Sequence, residues 1–144
     1  NYNGGILREA EIRSILELRV ALDTLAIELW LPKATAEELA RLKSFVDELG
    51  KADSPSAAAA VAFKFQHELA FLSGNTLIPL IFSSFKVPVT TLWERFCRLY
   101  GIEALYLNEL TLYHAFEKGD LEGAIQWIST SIQDTIDGKR PIYY

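Results

Sequence analysis

Apolar residues recur along the chain at spacings of three and four residues, and the strict alternation typical of β-strands is nearly absent. Helix start and stop signals divide this pattern into six segments. The predicted helices cover about residues 8–31, 35–49, 54–72, 77–100, 102–118 and 120–136. Because the connections between them are short, neighbouring helices should pack antiparallel. The expected fold is an all-α antiparallel bundle of six to seven helices.

Local signals mark where individual helices begin and end. Pro32 ends the first helix because proline cannot continue it. The capping box that begins at Thr35 opens the second helix, and Ser54 precedes a proline at the first position of the third. Asp120 is the predicted N-cap of the last helix. Pro88 lies inside the fourth predicted helix and should kink it.

Composition narrows the class of protein without naming a function. At 144 residues, half of them apolar, the chain is long enough for one globular domain. A net charge of −5 argues against direct binding to nucleic acid, since phosphate contacts need clustered lysine and arginine. No run of roughly 18 uncharged apolar residues occurs, so neither a membrane span nor a membrane partner is expected. The single cysteine, Cys97, fits a reducing compartment, and we expect a cytoplasmic protein.

Polar side chains interrupt the apolar stripes of four predicted helices, where a buried polar group without a partner would be costly. These residues are Arg19, Gln66, Glu109 and Ser131. Each also has a purely structural explanation. Arg19 can pair with Asp23 one turn later, and Ser131 can bond back to the carbonyl of Trp127. Gln66 and Glu109 can lie at the rim of the bundle, in solvent or beside a cation. Four such residues on four helices nevertheless indicate a polar-lined cavity.

Catalytic patterns are missing from the sequence. Neither of the two histidines, His67 and His114, stands at a recognisable motif spacing from a serine or cysteine. Patterns for nucleotide, zinc or hydrolase sites do not occur either. We therefore do not expect an enzyme, and a catalytic helical bundle is kept only as an alternative.

Four segments carry motifs that occur together in one known family of domains. Residues 65–75, FQHELAFLSGN, are similar to the pattern FHxxLAxxSGN, and residues 115–124, AFEKGDLEGA, are similar to AI..GD...A. Residues 17–23 and 34–39 are similar to the first and second helices of the same domains. On these motifs the chain resembles, over nearly its whole length, the C-terminal effector-binding domain of FadR-type transcriptional regulators in the GntR family.

This resemblance implies a homodimeric helical domain that binds a small metabolite and thereby changes the operator affinity of a winged helix-turn-helix head. Residues 1–7 would be a linker remnant from that missing head, which alone would contact DNA. Residues 8–138 would form the effector-binding and dimerisation domain, and residues 139–144 a tail.

Many members of the family bind a metal inside the bundle through one aspartate and three histidines. The corresponding positions here are Ala62, Gln66, Glu109 and Ser131, of which only Glu109 is a good metal ligand. The resemblance therefore predicts neither a bound metal nor another cofactor. It places the chain with the metal-free branch of the family, in which the namesake regulator binds a long-chain acyl-CoA.

The candidate effector is accordingly an acyl-CoA, a fatty acid or another lipid-like molecule. Three positions of the namesake face its effector and correspond to about Ile132, Thr135 and Lys139, of which only Thr135 is chemically close. Arginine suits the carboxylate or phosphate of such a ligand. The predicted ligand-binding residues are Arg19, Gln66, Arg95, Glu109, Tyr113, Ser131 and Thr135. A dimerisation module that binds no ligand is an alternative that these residues leave open.

Overall fold

Helices account for nearly all of the computed structural model, which describes residues 8–142. Over that range no strand occurs, and the predicted all-α bundle of six to seven helices is confirmed. The predicted linker, residues 1–7, lies outside the described residues. A single 3-10 turn, Leu31–Lys33, separates the first two helices. The helices are α1 (Glu9–Trp30), α2 (Ala36–Gly50), α3 (Pro55–Leu72), α4 (Leu77–Ser84), α5 (Lys86–Tyr100), α6 (Ile102–Glu117) and α7 (Leu121–Ile136).

Side-chain caps fix the starts of three helices, as the sequence predicts. Thr35 Oγ1 accepts from the backbone N–H of Glu38 at 3.1 Å, and Glu38 Oε1 accepts from that of Thr35 at 3.0 Å. Ser54 and Asp120 accept in the same way at the starts of α3 and α7. The indole of Trp30 also donates to Glu38 Oε1 at 2.9 Å, so this carboxylate joins the end of α1 to the start of α2. Such caps satisfy amide groups that have no partner within the helix.

The predicted fourth helix, residues 77–100 with a kink at Pro88, is wrong in one respect. The chain breaks at Phe85 instead, and α4 and α5 are separate helices. Proline lacks an N–H and clashes with the carbonyl four residues before it, which here belongs to Ser84. The new helix therefore starts after that carbonyl, and Pro88 lies in its first turn, where no amide donor is needed.

The central helix of the bundle is α3, which contacts α1, α2, α4 and α5. Around it, α7 packs against α1 and α6, while α6 also packs against α2 and α5. Aromatic rings fill the core near the end of α1. The rings of Phe116 and Trp30 pack edge to face with their centres 5.1 Å apart. The ring of Phe116 also stacks on that of Phe65, with 6.4 Å between the centres. The other half of α1 faces a less completely filled space, which holds the candidate site.

None of the helices described between residues 8 and 142 combines the length and the hydrophobicity needed to cross a membrane.

Candidate functional site

A cavity of about 70 Å³ lies inside the bundle, with walls from α1, α3, α5, α6 and α7. Most of the lining is aliphatic or aromatic. Six polar residues interrupt it: Arg19, Gln66, Asn108, Glu109, Ser131 and Thr135. Enclosed, mostly apolar cavities with a few converging polar groups are typical of small-molecule sites.

Five of the seven predicted ligand-binding residues meet at this cavity, and two do not. Tyr113 is buried, but it lies on the part of α6 that faces the charged residues Lys43 and Asp47 of α2. Arg95 is also buried, and its Nη1 donates to the backbone carbonyl of Ile142 at 3.1 Å. These two residues therefore support the wall of the bundle and do not line the cavity.

Arg19 and Asp23 form a buried ion pair on α1, with Arg19 Nε 3.4 Å from Asp23 Oδ2. This pairing is the structural explanation that the sequence offered for Arg19, and it is confirmed. The guanidinium also lies over the ring of Trp93, 5.1 Å from its centre. With its nitrogen assigned toward Asp23, the amide of Gln66 donates to both carboxylate oxygens at 2.9 and 3.0 Å. Gln66 is buried and does not lie at a solvent edge.

Burial and these partners shift the pKa of Asp23 in opposite directions. It raises the pKa of Asp23 from 3.8 to about 6, while the charge and hydrogen bond of Arg19 act in the opposite direction. The donated hydrogen bonds of Gln66 likewise favour the carboxylate. Asp23 is therefore a titrating group inside the bundle, held by residues of α1 and α3.

Among the ionisable side chains that line the cavity, Glu109 has the fewest hydrogen-bonding and ion-pair partners. Its side chain is 6% exposed, and its Oε2 atom is buried without a hydrogen-bond partner among the described residues. Burial raises the pKa of Glu109 well above its ordinary value, Arg19 opposes the rise, and Asp23 adds to it. The alternative that Glu109 pairs with a cation at the bundle rim does not hold, because the residue lies in the interior.

The two hydroxyl groups of α7 are engaged with their own helix. Ser131 Oγ lies 3.4 Å from the carbonyl of Ile128, and Thr135 Oγ1 donates to that of Ile132 at 2.6 Å. Ser131 therefore bonds back to its own helix, but the predicted partner, the carbonyl of Trp127, is wrong, because the hydroxyl turns to the carbonyl three residues back instead of four. Each hydroxyl oxygen keeps lone pairs with which a ligand donor can bond.

The segment after α7 closes one side of the cavity. The predicted tail, residues 139–144, is described as far as Ile142, whose buried side chain belongs to the lining. Tyr100 donates its hydroxyl to the carbonyl of Pro141 at 2.5 Å, and Arg95 holds the next carbonyl. Residues 139–142 thus pack back onto α5 and contribute to the site.

The described residues offer neither a cluster of metal ligands nor a reactive thiol at this site. Among residues 8–142, no group of three or more histidine, cysteine, aspartate or glutamate side chains is placed to hold a metal ion. The expectation that the domain works without a metal stays a prediction. Cys97 is buried, and burial raises the pKa of its thiol to about 11, which keeps it protonated near neutral pH.

Sequence reasoning underestimated several residues of the site. Asp23 entered only as a partner of Arg19, although its spacing of four residues already placed both on one helix face. Trp93, Trp127 and Asn108 are not among the predicted site residues, yet all three line the cavity. The indole of Trp127 donates to the backbone carbonyl of Asn108 at 2.9 Å, which ties α7 to α6.

Comparison with known proteins gives a consistent assignment. Residues 14–134 match the family model described as the FCD domain. Among solved structures, E. coli McbR/YncC superposes with a TM-score of 0.70 and 17% identity, over 91% of this chain and 65% of that one. A transcriptional regulator described as a GntR family member, from Pseudomonas syringae pv. tomato str. DC3000, gives 0.69 and 16%, over 93% of this chain and 57% of that one. The chain thus spans less than two-thirds of the length of either structure. Comparison with curated protein sequences found no match.

Proposed function

Because the chain belongs to the FCD domain family, the C-terminal domain of GntR-family regulators, we propose that it senses a small-molecule effector and pairs two copies of such a regulator. Effector binding in the bundle would change the operator affinity of a DNA-binding head. By linkage, the effector must bind the two states of the regulator with different affinity. The domain has no catalytic step in this proposal.

The cavity carries this proposal. It holds a guanidinium, a carboxyl group and an amide inside a wall of aliphatic and aromatic side chains, and the buried Asp23 pairs with that guanidinium. Glu109 Oε2 is buried without a hydrogen bond among the described residues, and Arg19 Nε has only its ion pair with Asp23 at 3.4 Å. Because buried polar atoms without partners are costly, a chain selected only for stability would replace them. A ligand that bonds to them accounts for their presence.

The size of the cavity bears on the acyl-CoA or fatty-acid prediction. Pockets for drug-sized ligands enclose roughly 300–1,000 Å³, whereas this cavity measures about 70 Å³. We therefore favour a compact effector of few non-hydrogen atoms. An acyl-CoA would require the bundle to open, and residues 139–142 are the part of the wall that lies outside the helices.

Thermal unfolding against a library of small metabolites tests the sensor proposal, with two matched variants of α7. Ser131→Phe fills the cavity, whereas Ser129→Phe adds the same ring at an exposed position two residues away. An effector should raise the melting temperature of the wild type and of Ser129→Phe as its concentration exceeds its dissociation constant. It should leave Ser131→Phe unchanged. If no compound stabilises the wild type, the dimerisation module without a ligand becomes the better assignment.

Pairing of two copies is proposed on a second observation, an apolar surface formed by neighbouring helices. Large apolar side chains are exposed on the outer side of α1, along α4 and at its two flanks. They are Leu18, Leu25, Leu29, Phe71, Leu77, Leu80, Ile81 and Val87, which we call the outer apolar face. Because α1 contacts α4, these exposed side chains lie on neighbouring helices. Exposed apolar patches of this kind mark protein interaction sites.

A further inference from the structure

The charges around the cavity are unevenly compensated. Arg19 is paired with Asp23 and stacked on Trp93, and the Gln66 amide is engaged by Asp23. Glu109 faces the same space and is only 6% exposed to solvent. Its Oε2 atom has no hydrogen-bond partner among the described residues. Arg19 Nε also lacks a hydrogen bond, but it lies 3.4 Å from the Asp23 carboxylate. Glu109 is therefore the ionisable residue of the lining that has no ion-pair partner among the described residues.

The formal charges of the side chains around the cavity indicate which class of ligand the cavity favours. Arg19 and Glu109 line the cavity, and Asp23 pairs with Arg19 beside it. With Glu109 neutral, Arg19 and Asp23 already balance each other, so an anionic ligand would add an uncompensated negative charge. A cationic ligand that ionises Glu109 adds one positive and one negative charge and keeps the balance. Since an uncompensated charge in the interior is strongly unfavourable, the second arrangement costs less.

We propose that the effector is a compact molecule with an ammonium group, which pairs with Glu109. This inference rests on the proposed sensor function and names the chemical class of its ligand. The faces of Trp127 and Phe96 belong to the same lining, and aromatic faces attract cations. Branched aliphatic side chains from α1, α5, α6, α7 and the segment after α7 form most of the remaining wall, so the remainder of the effector is mainly apolar.

Binding of an ammonium group exchanges a proton at Glu109. Burial raises the pKa of this carboxyl well above its ordinary value, so the empty cavity holds it in the neutral form. When the ligand enters, the carboxyl O–H bond breaks, the proton leaves to solvent, and the carboxylate pairs with the ammonium. Affinity should therefore rise by up to about tenfold per pH unit until the pH passes the pKa of Glu109.

Few other groups can imitate this pH dependence. The charged residues that face Glu109 are Arg19 and Asp23 of α1. The cavity residues of α3 and α7 are uncharged, and those of α5 are Val89, Leu92, Trp93 and Phe96. Asp23 has a pKa of about 6, so a titration from about pH 7 upward separates it from Glu109.

Three probes with the same branched alkyl chain test the inference: 3-methylbutylamine, 3-methylbutanol and 3-methylbutanoate. The indole N–H signals of the three tryptophans report binding in NMR titrations. Trp93 and Trp127 line the cavity, whereas Trp30 donates to Glu38 elsewhere and serves as an internal control. Glu109→Gln removes the charge and keeps the shape, and Glu117→Gln makes the same change at an exposed position of α6.

The amine should shift the Trp93 and Trp127 signals and bind more than about tenfold tighter than the alcohol or the acid. Its affinity should rise with pH, and its advantage should vanish in Glu109→Gln and persist in Glu117→Gln. If the alcohol or the acid binds as tightly as the amine, the ammonium class is wrong while the cavity remains a ligand site. If none of the probes moves either signal up to its solubility limit, the cavity fails as a ligand site and the proposed function fails with it.

Discussion

Replacement of Asp23 by asparagine should remove a specific pH dependence from the stability of the bundle. Burial raises the pKa of Asp23 from 3.8 to about 6, with Arg19 opposing the rise. Folding then takes up a proton at pH values between the unfolded and folded pKa. The stabilisation from this group is therefore complete below about pH 4 and is lost as the pH rises through about 6.

The expected magnitude follows from the size of the shift. One pKa unit corresponds to about 1.4 kcal/mol. A rise from 3.8 to about 6 is therefore worth about 3 kcal/mol in the free energy of unfolding. The amide of Gln66, which donates to both carboxylate oxygens, pulls the pKa down and makes this an upper value.

Urea denaturation between about pH 4 and about pH 7.5 measures the effect, with Glu109→Gln as the background so that the second buried carboxyl no longer titrates. The comparison is between Glu109→Gln alone and the double variant with Asp23→Asn. As the pH rises, the free energy of unfolding of the double variant minus that of the single variant should increase by up to about 3 kcal/mol. Asp53→Asn, an exposed carboxylate, is the control and should show no comparable gain.

Two results would refute this reasoning. A difference in unfolding free energy that stays within about 0.5 kcal/mol across the range would mean that Asp23 has nearly the same pKa in both states. A difference that moves in the opposite direction would mean that Arg19 and Gln66 outweigh burial and hold Asp23 ionised.

Three further outcomes are expected. Thr35→Ala should cost about 1 kcal/mol of unfolding free energy in urea melts, and Glu38→Ala should cost more because its carboxylate also accepts from an indole of α1. Leu80→Glu, 66% exposed on the outer apolar face, should convert a dimer to monomers in sedimentation velocity, whereas Leu107→Glu on α6 should not. Ile142→Ala removes part of the cavity wall, so it should lower the free energy of unfolding in urea melts by about 2 kcal/mol and speed hydrogen exchange at the Trp127 indole. If neither the stability nor the exchange rate changes, Ile142 does not form part of the wall.

Helix limits were predictable because the chemistry that sets them is local. Thr35, Ser54 and Asp120 cap amides within three residues, so their effect needs no knowledge of the fold. The break between α4 and α5 was harder. Pro88 shows that a continuous helix is unfavourable, but the same constraint is met by a kink or by an earlier end. The structure uses the earlier end, at Phe85.

The site was predictable where a polar residue interrupts an apolar stripe, and it was not where the direction of a side chain depends on another segment. Gln66 and Glu109 fall inside stripes that the bundle must bury, so periodicity indicated an interior position, and the structure excludes the alternative of the bundle rim. Tyr113 shares a helix with Glu109 but turns toward α2. The direction of Arg95 is set by residues 139–142, which return to α5 from beyond the last helix. Periodicity within one helix contains no information about such a return.

One helix connects the cavity with the outer apolar face. Arg19 and Asp23 of α1 face inward, whereas Leu18 and Leu25 of the same two turns face outward. A ligand that leaves Glu109 ionised adds a carboxylate and an ammonium group beside the Arg19–Asp23 pair, which changes the electrostatic field on both of these residues. Because packed helices shift as units, a change of this kind on the inner side of α1 alters the position of its outer side. Effector binding and pairing should then be coupled, and by linkage a bound effector should change the dimer dissociation constant by the same factor by which dimerisation changes effector affinity.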